Sequence, residues 1–146
     1  MNRNCLRKGR SLLYSSSVVN KNNIKFDETL AANDVMFSTK NGYYSENISI
    51  ELTEIYCSTV RSNSLDFSFS YLHALSRFEV SLNQYVFLRS IGKEKLCRGV
   101  WPYIEQVKKS GDQRWFKKTI FPAFKIMTKR FFVYDFFRFI YTKIFN

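Results

Sequence analysis

The chain has 146 residues, of which 45% are apolar and 18% aromatic, and a formal net charge of +11. This length suits one domain with a core, and the apolar content excludes a wholly disordered chain. Three scattered cysteines and one histidine argue against a disulfide framework, a zinc site and a Ser/His/Asp hydrolase. Residues 74–146 carry 15 Lys/Arg against 5 Asp/Glu, whereas residues 1–73 carry 8 against 7, so the basic excess lies in the second half.

The first element predicted by an alternating pattern is a brief strand over Ile24–Glu28, which ends in two acidic residues. Asn33 and Asp34 are residue types that begin helices, and Gly42 is typical of a helix end. Asp34 would therefore lie at a strand-to-helix junction, where open α/β sheets place their working residues. A carboxylate at this position is either a helix cap or a base.

The clearest strand in the sequence covers Asn47–Tyr56, in which apolar and polar residues alternate. A second short strand or its continuation covers Ile55–Val60. With the strand at residues 24–28, this pattern predicts a few-stranded sheet in the first half of the chain.

Beyond residue 67 the apolar period becomes helical. The spacing predicts a long amphipathic helix over Ser68–Ile91 and a further helix over Leu96–Lys109. A third helical region covers Gln113–Asn146, with an interruption at Pro122. The sequence therefore predicts an α/β (α+β) fold, with a partial sheet segment in residues 1–66, a helical segment packed on it in residues 67–111 and a basic aromatic tail in residues 112–146.

The tail alternates aromatic residues with cations. At about 100° per residue, Lys118, Lys125, Lys129 and Lys143 share one narrow stripe of a helix, beside a large aromatic and aliphatic face. This arrangement is typical of a helix that lies on an anionic membrane surface. The alternatives are a helix packed on its own domain, and single-stranded nucleic-acid binding, which ranks last because no RRM, KH or zinc signature is present.

Four segments of the first half carry a resemblance: residues 24–28, 32–38, 48–56 and 56–65. In order and spacing they resemble the C-terminal half of a family 2 glycosyltransferase with a GT-A fold, of the kind that builds bacterial capsule or lipopolysaccharide. In that family an acidic residue follows a strand in an F-x-E pattern. Several residues later an acidic dipeptide opens a helix, and its Asp is the general base on the acceptor sugar hydroxyl.

The resemblance implies roles for five residues. Glu28 matches the first acid and Asp34 the general base, while Asn33 replaces the usual Glu of the dipeptide. Arg61 and Ser64 match a segment after the last strand, and with Asn33 they would bind substrate. In an inverting transfer, the base takes the proton of the acceptor hydroxyl as that oxygen attacks the anomeric carbon. Without the family pattern, a helix cap would be the preferred interpretation of Asp34.

The sequence contains no D-x-D motif and no Gly-rich phosphate loop. An intact family member would use a divalent metal and a nucleotide sugar, and we expect neither cofactor, and no metal site, in this chain. The simplest interpretation is either a truncated open reading frame or a fragment whose donor-binding half is encoded elsewhere, and we expect no transferase activity from this chain alone. We expect a cytoplasmic, peripheral protein at the inner membrane surface, near its sugar acceptor and without a nucleic-acid partner.

Overall fold

The structure, a computed structural model, describes residues 7–8, 14–47, 57–58 and 70–145. Within these ranges the regular secondary structure is helical apart from one two-residue antiparallel pair, in which β1 (Arg7–Lys8) faces β2 (Cys57–Ser58). The chain divides into two compact units. The first consists of Met1–Lys25 with Phe37–Ser68, and the second of Phe26–Met36 with Phe69–Asn146.

The predicted α/β (α+β) fold with a GT-A-like sheet is wrong, because the described residues form an all-helical structure. Residues 24–28 form no strand. Ile24 is buried whereas Phe26 is 57% exposed, so their alternation does not define one buried face. The Asp27 N–H donates to the Asn33 carbonyl within the same loop, not to a neighbouring strand. The strands predicted over Asn47–Tyr56 and Ile55–Val60 lie outside the described residues, except for Asn47, which is not in a strand, and for β2.

The first unit contains α1 (Ser16–Lys21) and most of α2 (Asp34–Tyr44). Tyr14 packs edge-on against Phe37 with ring centroids 5.1 Å apart, and its hydroxyl lies 2.8 Å from that of Ser38. The predicted helix start at residues 33–34 is confirmed. The predicted stop at Gly42 is wrong, since α2 continues through this glycine to Tyr44.

The core of the second unit is built on α3 (Tyr71–Ser90), and the prediction of a long helix here is confirmed. Ser70 caps this helix, because its hydroxyl accepts a hydrogen bond from the His73 N–H. The buried side chains recur at steps of three and four residues, as expected for one face of a helix. They are Ala74, Phe78, Leu82, Tyr85 and Leu88.

A 3₁₀ turn (Glu94–Leu96) leads into α4 (Trp101–Lys109). This helix begins five residues later than the sequence indicated. Pro102 lies in its first turn, where the missing N–H has no intrahelical partner to lose. Ile104 and Val107 extend the core.

Two helices, α5 (Trp115–Ile126) and α6 (Lys129–Phe145), complete the unit. The predicted interruption at Pro122 is wrong, because α5 continues through this proline. The chain leaves α5 at Met127, which is extended and buried. The next residue, Thr128, donates its N–H to the Tyr85 hydroxyl at 3.1 Å. Its own hydroxyl accepts from the Phe131 N–H, so Thr128 caps the N-terminus of α6.

A buried carboxylate of α6 fixes the start of α4. Asp135 is 1% exposed, and its Oδ2 accepts from the Val100 N–H at 2.8 Å. Its Oδ1 accepts from Arg138 Nη2 at 2.7 Å, and the same nitrogen donates to the Cys97 carbonyl at 3.0 Å. Gly99 lies against this carboxylate with φ +97°, and a Cβ there would overlap Asp135 Oδ1. Position 99 therefore requires glycine for its backbone conformation and for space.

We predict that Gly99→Ala lowers the free energy of unfolding by more than about 2 kcal/mol, because it adds a steric clash to a strained backbone. Gly111→Ala is the matched control. Gly111 also has a positive φ, +85°, but no atom lies within 4 Å of its added Cβ. Backbone strain alone should cost this variant about 1–2 kcal/mol. Equal losses in urea unfolding would contradict the placement of Asp135 against Gly99.

Candidate functional site

The predicted acidic residues lie in and after a loop that the structure fixes at several points. The Asp27 N–H donates to the Asn33 carbonyl at 3.2 Å and closes the loop. The hydroxyl of Ser76, which is buried on α3, accepts from the Ala31 N–H at 3.2 Å and donates to the Ala31 carbonyl at 3.3 Å. These bonds set the point at which α2 begins.

The structure places Glu28, Asn33 and Asp34 on this loop and at the first residue of α2, with all three side chains exposed. The Asp34 carboxylate makes no hydrogen bond within the described part of the chain. Its negative charge at a helix N-terminus is favourable by about 0.3–1 kcal/mol even without a hydrogen bond. Asp34 is therefore an accessible carboxylate that is free to accept a proton from a bound hydroxyl.

Two other predicted site residues, Arg61 and Ser64, lie outside the described residues. No group of three or more His, Cys, Asp or Glu residues that could hold a metal ion occurs in the described ranges. The described groups of the predicted site are therefore Glu28, Asn33 and Asp34.

A second candidate feature is the outward side of α5. Thr119 and Ala123 face the core, and Phe121 and Phe124, which are 67% and 53% exposed, lie on the other side of the helix. Exposed cations surround these two rings: Lys117, Lys118 and Lys125.

The outward side of α6 is more apolar. Phe131 and Asp135 face the core, and at about 100° per residue the opposite side carries exposed Val133, Phe137, Tyr141 and Ile144. Lys129 and Arg130 are exposed at the start of the helix. We call these outward residues of the two helices the α5–α6 surface. In the parts of the chain that the structure describes, no helix is long and apolar enough to cross a bilayer.

The four predicted membrane-surface lysines fall on two helices and differ in their contacts. Lys118, Lys125 and Lys129 are exposed and form no ion pair within the described residues. The Lys143 ammonium instead donates to Glu105 of α4, which also pairs with Lys109 at 3.0 Å. Hydrogen bonds from Lys143 and Lys109 lower the pKa of Glu105. Lys143 therefore links α6 to α4 and is less available to a membrane.

One group of residues was missed by the sequence interpretation. Arg98, Asp135 and Arg138 line a depression of about 330 Å³ at the start of α4. Asp135 is the one acidic residue between residues 113 and 146, and Arg138 follows it by one helical turn. That isolated acid–base pair in a basic tail was the available signal.

The chain matches no protein-family model, no curated protein and no solved structure. The resemblance to family 2 glycosyltransferases therefore depends on the short motifs and on the positions of their residues.

We predict that Glu105→Gln lowers the free energy of unfolding at neutral pH by up to about 1 kcal/mol, because it weakens a partly exposed ion pair. The folded-state pKa of Glu105 lies below its unfolded value of about 4.3. The carboxylate thus contributes fully above the unfolded pKa, and its contribution is lost as the pH falls through the folded pKa. Urea unfolding should show this difference in free energy of unfolding between the wild type and Glu105→Gln at neutral pH, and a smaller difference below about pH 3. A difference that is constant with pH would contradict this assignment.

Proposed function

We propose that this chain provides acceptor-side groups of a family 2 glycosyltransferase that builds cell-surface polysaccharide or lipopolysaccharide. The observation that carries the proposal is the position of Asp34, whose exposed carboxylate stands at the first residue of α2. The sequence pattern requires a helix to open at this dipeptide, and α2 opens there. The absence of a hydrogen bond to Asp34 within the described residues leaves its carboxylate available for chemistry.

In the proposed reaction Asp34 takes the proton of the acceptor hydroxyl while that oxygen forms a bond to the anomeric carbon of the donor sugar. The bond from that carbon to the nucleotide diphosphate breaks, and the diphosphate leaves with the electron pair. Glu28 is proposed as a second catalytic carboxylate on the acceptor side, and Asn33, Arg61 and Ser64 are proposed to bind the substrates. The nucleotide sugar and its divalent metal are proposed to bind a separate polypeptide, since the sequence has no D-x-D motif.

We predict that Asp34→Asn, introduced at the native gene, gives the same surface-polysaccharide composition as deletion of the gene. Loss of a general base slows transfer by about 10²–10⁴-fold, which is enough to remove the product. The charge-matched control is Glu46→Gln, since Glu46 is also exposed but lies after α2. This variant should keep the wild-type composition, determined by sugar analysis and mass spectrometry.

Two results would contradict the proposal. A deletion that leaves the surface polysaccharide unchanged would exclude the function. A deletion phenotype that Asp34→Asn does not reproduce would exclude Asp34 as the base.

The α5–α6 surface favours a second candidate, a non-enzymatic protein of the membrane surface, and it also supports a peripheral location for the first. Aromatic and aliphatic side chains that are half or more exposed stand beside exposed cations that form no ion pair with another described residue, as in helices that lie in the headgroup region. Each cation near an anionic surface adds about 1 kcal/mol to binding. We propose that the partner of this surface is the anionic inner leaflet, reached from the cytoplasm.

We predict that the chain floats with phosphatidylglycerol vesicles and not with phosphatidylcholine vesicles. Lys118→Glu with Lys125→Glu should weaken the binding at least about tenfold, since it reverses two charges beside the exposed rings. The matched control reverses Lys93 and Lys95, which are exposed in the turn before α4. Equal loss in both double variants would indicate an effect of net charge and contradict a role for the α5–α6 surface.

A further inference from the structure

The depression at the start of α4 is lined mostly by residues of α6 and carries more positive than negative side chains. It is lined by Arg98, Arg138 and Lys143, against the single carboxylate of Asp135, and Phe139 adds an apolar side. Its volume of about 330 Å³ exceeds what a small anion needs. Charge and size together favour an anionic occupant.

The groups that line this depression differ in their existing partners. Asp135 is buried and accepts from Val100 and Arg138, so its charge is already balanced. Lys143 donates to Glu105. The side chain of Arg98, by contrast, is exposed and makes no hydrogen bond or ion pair within the described residues.

The guanidinium of Arg138 is fixed in position, yet some of its N–H groups have no hydrogen-bond partner among the described residues. Its Nη2 donates to Asp135 and to the Cys97 carbonyl, which holds the guanidinium in place. Its Nε and Nη1 have no partner in the described part of the chain, and the side chain remains 30% exposed. The guanidinium that is held in this way leaves N–H donors at Nε and Nη1, and either of them can donate to a phosphate oxygen.

We propose that this depression binds a phosphate group between Arg98 and the free donors of Arg138. Arg98 supplies a cation that has no competing partner among the described residues, and Arg138 supplies a guanidinium of fixed position. Exposed Tyr134 and Phe137, one helical turn or less from Arg138, line an apolar groove that shares Arg138 with the depression. The phosphate therefore belongs either to a soluble ester or to a lipid headgroup whose chains follow this groove. The site does not depend on the proposed transferase activity.

The test is a titration of the full chain with inorganic phosphate and with glycerol 3-phosphate, at constant ionic strength kept with chloride. The readout is the ¹H–¹⁵N signals of the arginine Nε–H groups. We expect saturable shifts at Arg98 and Arg138. Loss of a charge-assisted hydrogen bond should weaken binding about tenfold or more in Arg98→Gln. Arg89→Gln is the control, because Arg89 is exposed in the last turn of α3.

A vesicle arm distinguishes the two sources of phosphate. If the ligand is a lipid, Arg98→Gln will weaken binding to phosphatidic acid vesicles more than to phosphatidylserine vesicles. If the ligand is soluble, glycerol 3-phosphate will bind and vesicle binding will not depend on Arg98. The proposal is overturned if Arg98→Gln weakens neither the binding of the phosphate compounds nor the binding of vesicles. It is also overturned if chloride alone reproduces the shifts, or if Arg89→Gln weakens binding as much as Arg98→Gln does.

Discussion

The helical unit depends on one buried carboxylate. Burying a charge costs several kcal/mol unless close partners compensate it, and Asp135 has two, the Val100 N–H and the Arg138 guanidinium. Because these partners belong to the start of α4 and to α6 itself, the carboxylate sets the position at which α6 crosses α4. Gly99 is part of the same constraint, since only a residue without a side chain fits beside Asp135.

This constraint also determines which side of α6 faces outward. With Phe131 and Asp135 turned to the core, Phe137, Tyr141 and Ile144 must lie on the far side. Trp101 of α4 stabilises the same orientation of α6. Its ring centroid lies 4.8 Å from that of Phe136, and its indole N–H donates to the Phe132 carbonyl. The exposed apolar side of α6 thus results from interactions that the core needs.

The elements predicted correctly are those with local signals. The long helix α3 has a Ser70 cap and a regular apolar period, and α2 opens at Asn33 and Asp34, residue types that begin helices.

The prediction of a sheet was wrong, because a three-residue alternation that starts at Ile24 does not ensure a partner strand. The break before α6 depends on the contact of Thr128 with Tyr85, 43 residues away, which no local pattern shows. The placement of Arg98 and Arg138 around one depression likewise depends on tertiary structure. The sequence therefore predicted the acidic residues at the start of α2 and the exposed lysines of α5 and α6, but not this depression.

Both proposed functions share one claim, that the outward side of α6 meets an anionic membrane. The most direct measurement is the depth of nitroxide labels, introduced by Phe137→Cys on α6 and by Asn83→Cys on the exposed side of α3, after Cys5 and Cys57 are replaced by serine. On phosphatidylglycerol vesicles we expect the label at position 137 to become accessible to oxygen and shielded from a water-soluble nickel chelate, whereas the label at position 83 should not change. A label at position 137 that stays fully exposed to the chelate on bound protein would contradict it.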